Sequence, residues 1–238
     1  MLVDTLDLGG SENAFARGGN RLCFVHPKYP DQCVKVLRPD RTPEIKRQER
    51  RFPRNLKPLR YFDDNYQEFK VYQLIEKHIG EAAFQLIPRC FGEISTNWGT
   101  GLVSEIIKDE DGLVSLSLKQ YLWVHGKTDT ITRAVADFID LWSRLGMPSR
   151  NLLLHNLVVQ TNADGIRRIV AIDGLGWPDV LPLAYFVNFL ARKKARRKAQ
   201  RLWNSIDELL HKKAVGGDWG YHGWMDDQQR RLVSGESP

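Results

Sequence analysis

Arg150, Asn151, Asn156 and Asp173 are the residues whose types and spacing suit chemistry in this chain. They lie in Ser149-Arg150-Asn151-Leu152-Leu153-Leu154-His155-Asn156 and, further on, Ile172-Asp173-Gly174. Between the two segments, Leu157-Val158-Val159 reads as a strand and Thr161-Asn162-Ala163-Asp164-Gly165 as a turn. Ile169-Val170-Ala171-Ile172 reads as the returning strand. Folding back about residues 163–164 sets Asn156 opposite the region just before Asp173. An amide and a carboxylate at one end of a hairpin both offer oxygen, the donor preferred by a hard divalent cation such as Mg²⁺ that also holds phosphates. An ordinary surface hairpin with polar ends fits the same residues, and the hairpin alone leaves both readings open.

The elements that must position these groups start near the N-terminus. Asn13 to Ala16, a turn at Arg17-Gly18-Gly19, and Arg21 to His26 read as strand, turn, strand, and Cys33-Val34-Lys35-Val36-Leu37 as a third strand. A glycine-bearing turn lets backbone N–H groups approach a phosphate chain closely, although Gly18-Gly19 is a weak version of such a loop. Residues 38–60 are rich in Pro and Arg and read as an exposed connection with a short helix. Asp64 or Asn65 then caps a helix to about His78, whose inward stripe is Glu68, Val71, Tyr72, Ile75 and Ile79. An inward carboxylate wants a cation, and Lys35 is the candidate; a Glu facing water is the alternative. Pro88 to Ile94 and Gly101 to Ile107 complete a five-stranded sheet, and Lys108-Asp109-Glu110-Asp111-Gly112 marks a boundary. Ile131, Ala134, Val135, Phe138, Ile139, Trp142 and Leu145 mark a one-sided helix ended by Gly146 and Pro148. After Asp173 the pattern is helical through about Lys213, and a tail from Gly216 carries Trp219, Tyr221 and Trp224.

With 238 residues, 42% of them hydrophobic and 10% aromatic, the chain has the composition of a globular protein. No apolar run is long enough to span a bilayer, and Met1 to Asp4 lacks the start of a signal peptide, so a cytoplasmic setting is expected. Cys23, Cys33 and Cys90 show no CxxC spacing, which argues against a disulfide framework or a zinc site. The net charge of +6 is unevenly spread. Residues 38–60 hold nine Lys/Arg against three acids, and residues 191–201 hold seven Lys/Arg and no acid. Such clusters point to an anionic partner. The run at 191–201 follows the apolar stretch Leu181 to Leu190, which suggests a membrane surface. Nucleic acid ranks behind it, because no helix-turn-helix, zinc or RNA-recognition motif accompanies the charge.

The order of elements, with Lys35, Glu68, Asn156 and Asp173 in sequence, resembles a protein-kinase-like fold. More specifically it resembles the PhoP regulatory network family, YrbL. The matching patches are Arg21 to Pro27 through Cys33 to Val36, and Ile87 to Arg89 through Glu93 to Asn97. Gly101 to Val103, Asp109 to Gly112, Ile172 to Gly176 and Leu181 to Ala184 continue the match. The resemblance implies an α+β, two-lobed, protein-kinase-like fold. An N-terminal lobe (residues 1–107) would carry a five-stranded antiparallel sheet plus helix, followed by a small, mainly helical C-terminal lobe (108–215) and a tail (216–238). It implies ATP and Mg²⁺ as cofactors: Lys35 on the phosphates, Glu68 orienting Lys35, the Gly18-Gly19 turn over the nucleotide, Glu105 and Ile107 in the hinge at the adenine, and Asn156 and Asp173 on the metal. Glu68, acting only through Lys35, should then matter less than Lys35 itself.

Departures from the kinase pattern shape the functional expectation. In the loop containing Arg150, Asn151 occupies the position of the catalytic Asp, and Leu153 occupies that of a common Lys. Asp173-Gly174-Leu175 replaces Asp-Phe-Gly, and no Ala-Pro-Glu follows. An amide positions a hydroxyl but takes no proton, and base assistance is worth about 10²–10⁴-fold. His155 is a substitute base on paper, though a loop residue facing solvent is the plainer reading. The expectation is an ATP-Mg-binding pseudokinase or regulatory nucleotide binder. The alternatives are a slow atypical kinase acting on a protein or envelope-precursor hydroxyl, and a basic membrane-surface or nucleic-acid binder. The phosphoryl acceptor or regulated protein is not legible.

Overall fold

Alternating strand-forming residues in the first hundred positions pair into one antiparallel sheet. The computed structural model describes residues 5–176 and 188–234. β1 (Ala16–Arg17), β2 (Arg21–His26), β3 (Tyr29–Leu37), β4 (Cys90–Thr96) and β5 (Gly99–Glu105) assemble in the order β1-β2-β3-β5-β4. Register sets Cys23 opposite Lys35 and Lys35 opposite Leu102. One face is the core of Leu8, Leu22, Phe24, Val34, Val36 and Val103, with Trp98 and Ile94 packed at its margin. The α+β character and the five-stranded antiparallel sheet expected from the sequence are both present.

Chain contacts divide the protein into two compact units. One comprises residues 1–73 and 89–106, the other residues 74–88 and 107–238. The first unit also contains α1 (Pro43–Gln48), within the basic connection, and the start of α2 (Asp64–His78). The cap of α2 is Asp63, one residue before the expected position. Its carboxylate accepts the Asn65 and Tyr66 N–H groups at 2.9 and 3.1 Å, satisfying donors that the helix leaves open. Glu68, Val71, Tyr72 and Ile75 are buried, so the inward stripe holds, while Ile79 is half-buried.

The second unit carries a three-stranded antiparallel sheet, β6 (Leu116–Ser117), β7 (Leu157–Asn162) and β8 (Gly165–Ala171), in that order. β7 and β8 are the expected hairpin; β6 is an addition. Around it lie α3 (Leu118–His125), α4 (Asp129–Leu145), α5 (Asn188–Ala214) and α6 (Asp227–Ser234). α4 is capped by Thr128, buries Ile131, Val135, Phe138 and Trp142, and stops at Gly146, whose φ of 67° suits glycine. α5 packs along α4 and buries Ala195, Ala199, Leu202 and Ile206. Residues 177–187, including most of the apolar stretch Leu181 to Leu190 and the helical pattern expected just after Asp173, lie outside the described residues, as does Met1 to Asp4.

The tail belongs to the second unit. Ser117 Oγ donates to the Gly223 carbonyl at 2.6 Å, and Lys119 Nζ to the Trp219 and His222 carbonyls, each at 2.9 Å. Gln120 exchanges two bonds with Met225, at 2.7 and 3.0 Å. Arg230 donates to the Val114 carbonyl at 2.7 Å and pairs with Asp109 at 2.9 Å. Trp219 stands edge-on to Trp123 and Trp224, with Lys119 4.0 Å above its ring.

Candidate functional site

Lys35 projects from β3 into a buried charge cluster of the first unit. Its Nζ lies 2.9 Å from Glu68 Oε1 on α2, and the two side chains are 8% and 4% exposed. Arg21, on β2, reaches the other carboxylate oxygen at 2.7 Å. Asn65, one turn before Glu68, donates to the Lys35 carbonyl at 2.8 Å and the Thr100 carbonyl at 3.1 Å, so the first turn of α2 is tied to β3 and β5. Lys46 and Asn20 grip Asp64 at 2.7 and 2.8 Å, holding the same helix start. Charges this far from water persist only when paired and hydrogen-bonded. One carboxylate serving two cations therefore makes Glu68 the centre of the cluster. The Arg21 contact adds to the expected Lys35–Glu68 pairing.

The remaining residues assigned to nucleotide binding are ordered by backbone bonds. The Gly18 N–H closes the β1–β2 turn on the Arg21 carbonyl at 2.9 Å. Arg38 Nη1 donates to the Gly18 and Gly19 carbonyls at 3.1 and 3.2 Å. Glu105 exchanges bonds with Arg89, through its N–H at 2.9 Å and its side chain at 3.1 Å. In the second unit, Ile107 is buried with Val158 and Val170, and its carbonyl accepts the Ser115 N–H at 3.0 Å. Burial pushes the Cys90 thiol up to about 11, and its bond to Cys23 raises Cys33, so neither is a ready nucleophile.

Within the second unit the loop and the end of the hairpin converge. The Ile172 N–H donates to the Asn156 carbonyl at 2.9 Å, and the Arg150 N–H to the Gly174 carbonyl at 2.7 Å. Gly174 has φ 84° and lies so close to the loop that a Cβ there would sit 2.5 Å from the Asn151 carbonyl oxygen and 3.3 Å from Asn156 Nδ2. Only glycine allows this approach. Arg150, Asn151, Asn156 and Asp173 are thus brought together, with Asn151 exposed and Asn156 and Asp173 half-buried. Asp173 Oδ1 accepts the Gly174 N–H. His155 does not face open solvent. It is half-buried against His222 of the tail, rings 5.4 Å apart, and burial lowers its pKa with further help from His222 and Lys119.

A further clamp comes from α5. Lys198 Nζ donates to the Ser149 carbonyl and, at 3.2 Å, to the Arg150 carbonyl. Burial, then Lys194, Arg197 and Arg201, lower this ammonium to about 8. The basic run at 191–201 is therefore not uniform: Lys198 turns inward to the loop, while others face out.

Oxygen donors from one amide and one carboxylate fit Mg²⁺ carried on phosphates, because that ion keeps most of its waters and takes one or two protein ligands. Among the described residues no cluster of three or more His, Cys, Asp or Glu side chains could cage a metal by protein alone. A family model described as PhoP regulatory network protein YrbL matches residues 7–207, a span that holds both the Lys35–Glu68 cluster and the pinned loop.

The chain belongs to the YrbL family.

Two YrbL proteins, from Escherichia coli (strain K12) and Shigella flexneri, are each 22% identical over 204 residues, covering 81% of this chain and 82% of the relative. The YrbL match thus takes in Arg21, Lys35, Glu68, Arg150, Asn151, Asn156, Asp173 and Lys198, and leaves α6 and the docked tail outside the family model. Sequence reasoning anticipated the pairing of Lys35 with Glu68 and the approach of Asn156 to the segment just before Asp173. It missed Arg21, Asn65, Lys198 and the Asp109–Arg230 pair. The signal for Arg21 was a cation opening a strand that continues in an unbroken apolar run, Leu22-Cys23-Phe24-Val25.

Proposed function

We propose that this YrbL-family chain is a protein-kinase-like binder of ATP and Mg²⁺ that acts as a pseudokinase, a regulatory nucleotide binder in keeping with the family's description as a PhoP regulatory network protein. The observation that carries the reading is the buried Lys35–Glu68 pair at 2.9 Å. A lysine costs energy to bury and gains little there unless its charge is used. Lys35 would hold phosphate oxygens, with Glu68 fixing its direction. Asn156 and Asp173 would hold the cation, whose positive charge offsets that of the phosphates. Asn151 positions a hydroxyl without accepting its proton, so binding outlasts transfer.

A slow kinase is the second reading. It is favoured by the loop's fixed backbone, held from Gly174 on one side and Lys198 on the other. Phosphoryl transfer depends mainly on positioning and charge stabilisation, and this loop retains positioning. A nucleotide titration with and without Mg²⁺, followed by an ATP-turnover assay, separates the readings. Mg-dependent binding without turnover supports the pseudokinase, turnover supports the kinase, and no binding refutes both.

A further inference from the structure

α5 has two unlike faces. Ala195, Ala199, Leu202 and Ile206 are buried. Phe189, Lys193, Arg196, Arg197 and Gln200, spaced three and four apart, share the opposite, exposed face, flanked by Leu190 and Arg201 on one edge and Arg192 on the other. Phe189 is 70% exposed and Leu190 46%.

Among the described residues no carboxylate pairs with Arg192, Lys193, Arg196, Arg197 or Arg201. The neighbouring ammonium groups feel the crowding. Burial lowers Lys194 first and Arg197 second; burial also leads for Lys198, followed by Lys194, Arg197 and Arg201. A helix surface that repels itself is stabilised by an anionic partner.

We infer that the outer face of α5 rests on an anionic lipid bilayer, with Phe189 and Leu190 entering the headgroup boundary and Lys193, Arg196, Arg197 and Arg201 meeting lipid phosphates. Both halves of the face are used in this contact. Nucleic acid would engage the cations yet gain little from two apolar side chains at one end of them, since strand binding interleaves aromatics with the charge. No helix among the described residues is long and apolar enough to cross a membrane, so the contact lies on the surface. The inference is independent of nucleotide binding.

Sedimentation with vesicles tests it, comparing pure phosphatidylcholine with a mixture holding about one-third phosphatidylglycerol. The wild-type protein should bind the anionic vesicles, ignore the neutral ones, and let go as salt rises. Each cation near such a surface is worth about fivefold in affinity. Lys193→Gln, Arg196→Gln, Arg197→Gln and Arg201→Gln combined should therefore lose about a hundredfold or more. Phe189→Ser should lose about tenfold, since its ring no longer enters the bilayer. Arg196→Gln and Arg197→Gln alone give graded losses that stand if the combined variant fails to fold. The inference is overturned if wild type binds neither vesicle or both equally, if folded variants keep full affinity, or if an oligonucleotide outcompetes the anionic vesicles.

Discussion

Glu68 lies between two cations, 2.9 Å from the Lys35 ammonium and 2.7 Å from the Arg21 guanidinium, with all three side chains no more than 8% exposed. One carboxylate pairs with both cations, so its removal and the removal of Lys35 are unequal changes.

Glu68→Gln should destabilise the fold by about 3–5 kcal/mol, because two buried cations would then lack the carboxylate that balances them. Lys35→Met leaves Glu68 with Arg21 and should cost about 1–2 kcal/mol. Urea unfolding of the two variants checks the order. Equal losses would show that the Arg21 contact contributes nothing.

Asn151→Asp places a proton acceptor in a loop whose backbone is already fixed at Arg150. In a protein that keeps a productive pose, ATP turnover should rise by about 10²-fold or more. In a pseudokinase, Leu153 and the Asp173-Gly174-Leu175 segment keep the rate flat. The proposed function predicts the flat result, and steady-state ATP hydrolysis distinguishes the two outcomes.

Lys198 gives the fold a pH signature. Its folded value, about 8, lies below the ordinary 10.5. Between these two values the unfolded chain binds a proton that the folded protein does not, so stability rises with pH in that window. Below about 8 the ammonium is charged in both states, and the folded protein bears the cost of crowding it beside Lys194, Arg197 and Arg201. The melting temperature of wild type, measured against Lys198→Met, should therefore climb from pH 8 to 10. A difference that stays constant or falls would contradict the lowered value.

Much of the first unit could be read from the sequence because its signals are local. Strand alternation and glycine turns marked the five strands, and Glu68 among Val71, Tyr72 and Ile75 announced an inward carboxylate. The loop and hairpin were legible for the same reason, since Thr161 to Gly165 is a cluster of turn-forming residues between two apolar runs. What escaped depends on contacts between distant residues. β6 has two residues and exists through its pairing with Val158 and Val159. The tail's docking runs from side chains of Ser117, Lys119 and Gln120 to backbone carbonyls about a hundred positions away, which no pattern encodes. Lys198 was hidden among seven cations, because a charge run does not tell which member turns inward. Arg21 was hidden by its place at a strand end, where a solvated cation is the ordinary case.

The central claim is that Asp173 and Asn156 hold a cation on ATP, and calorimetric titration of Asp173→Ala tests it most directly. Wild type should bind ATP more tightly with Mg²⁺ than without it. Asp173→Ala, with an unchanged melting temperature, should lose that metal dependence and about tenfold or more in Mg-ATP affinity. A folded Asp173→Ala protein that binds Mg-ATP as wild type does, or a wild type indifferent to Mg²⁺, would contradict the account.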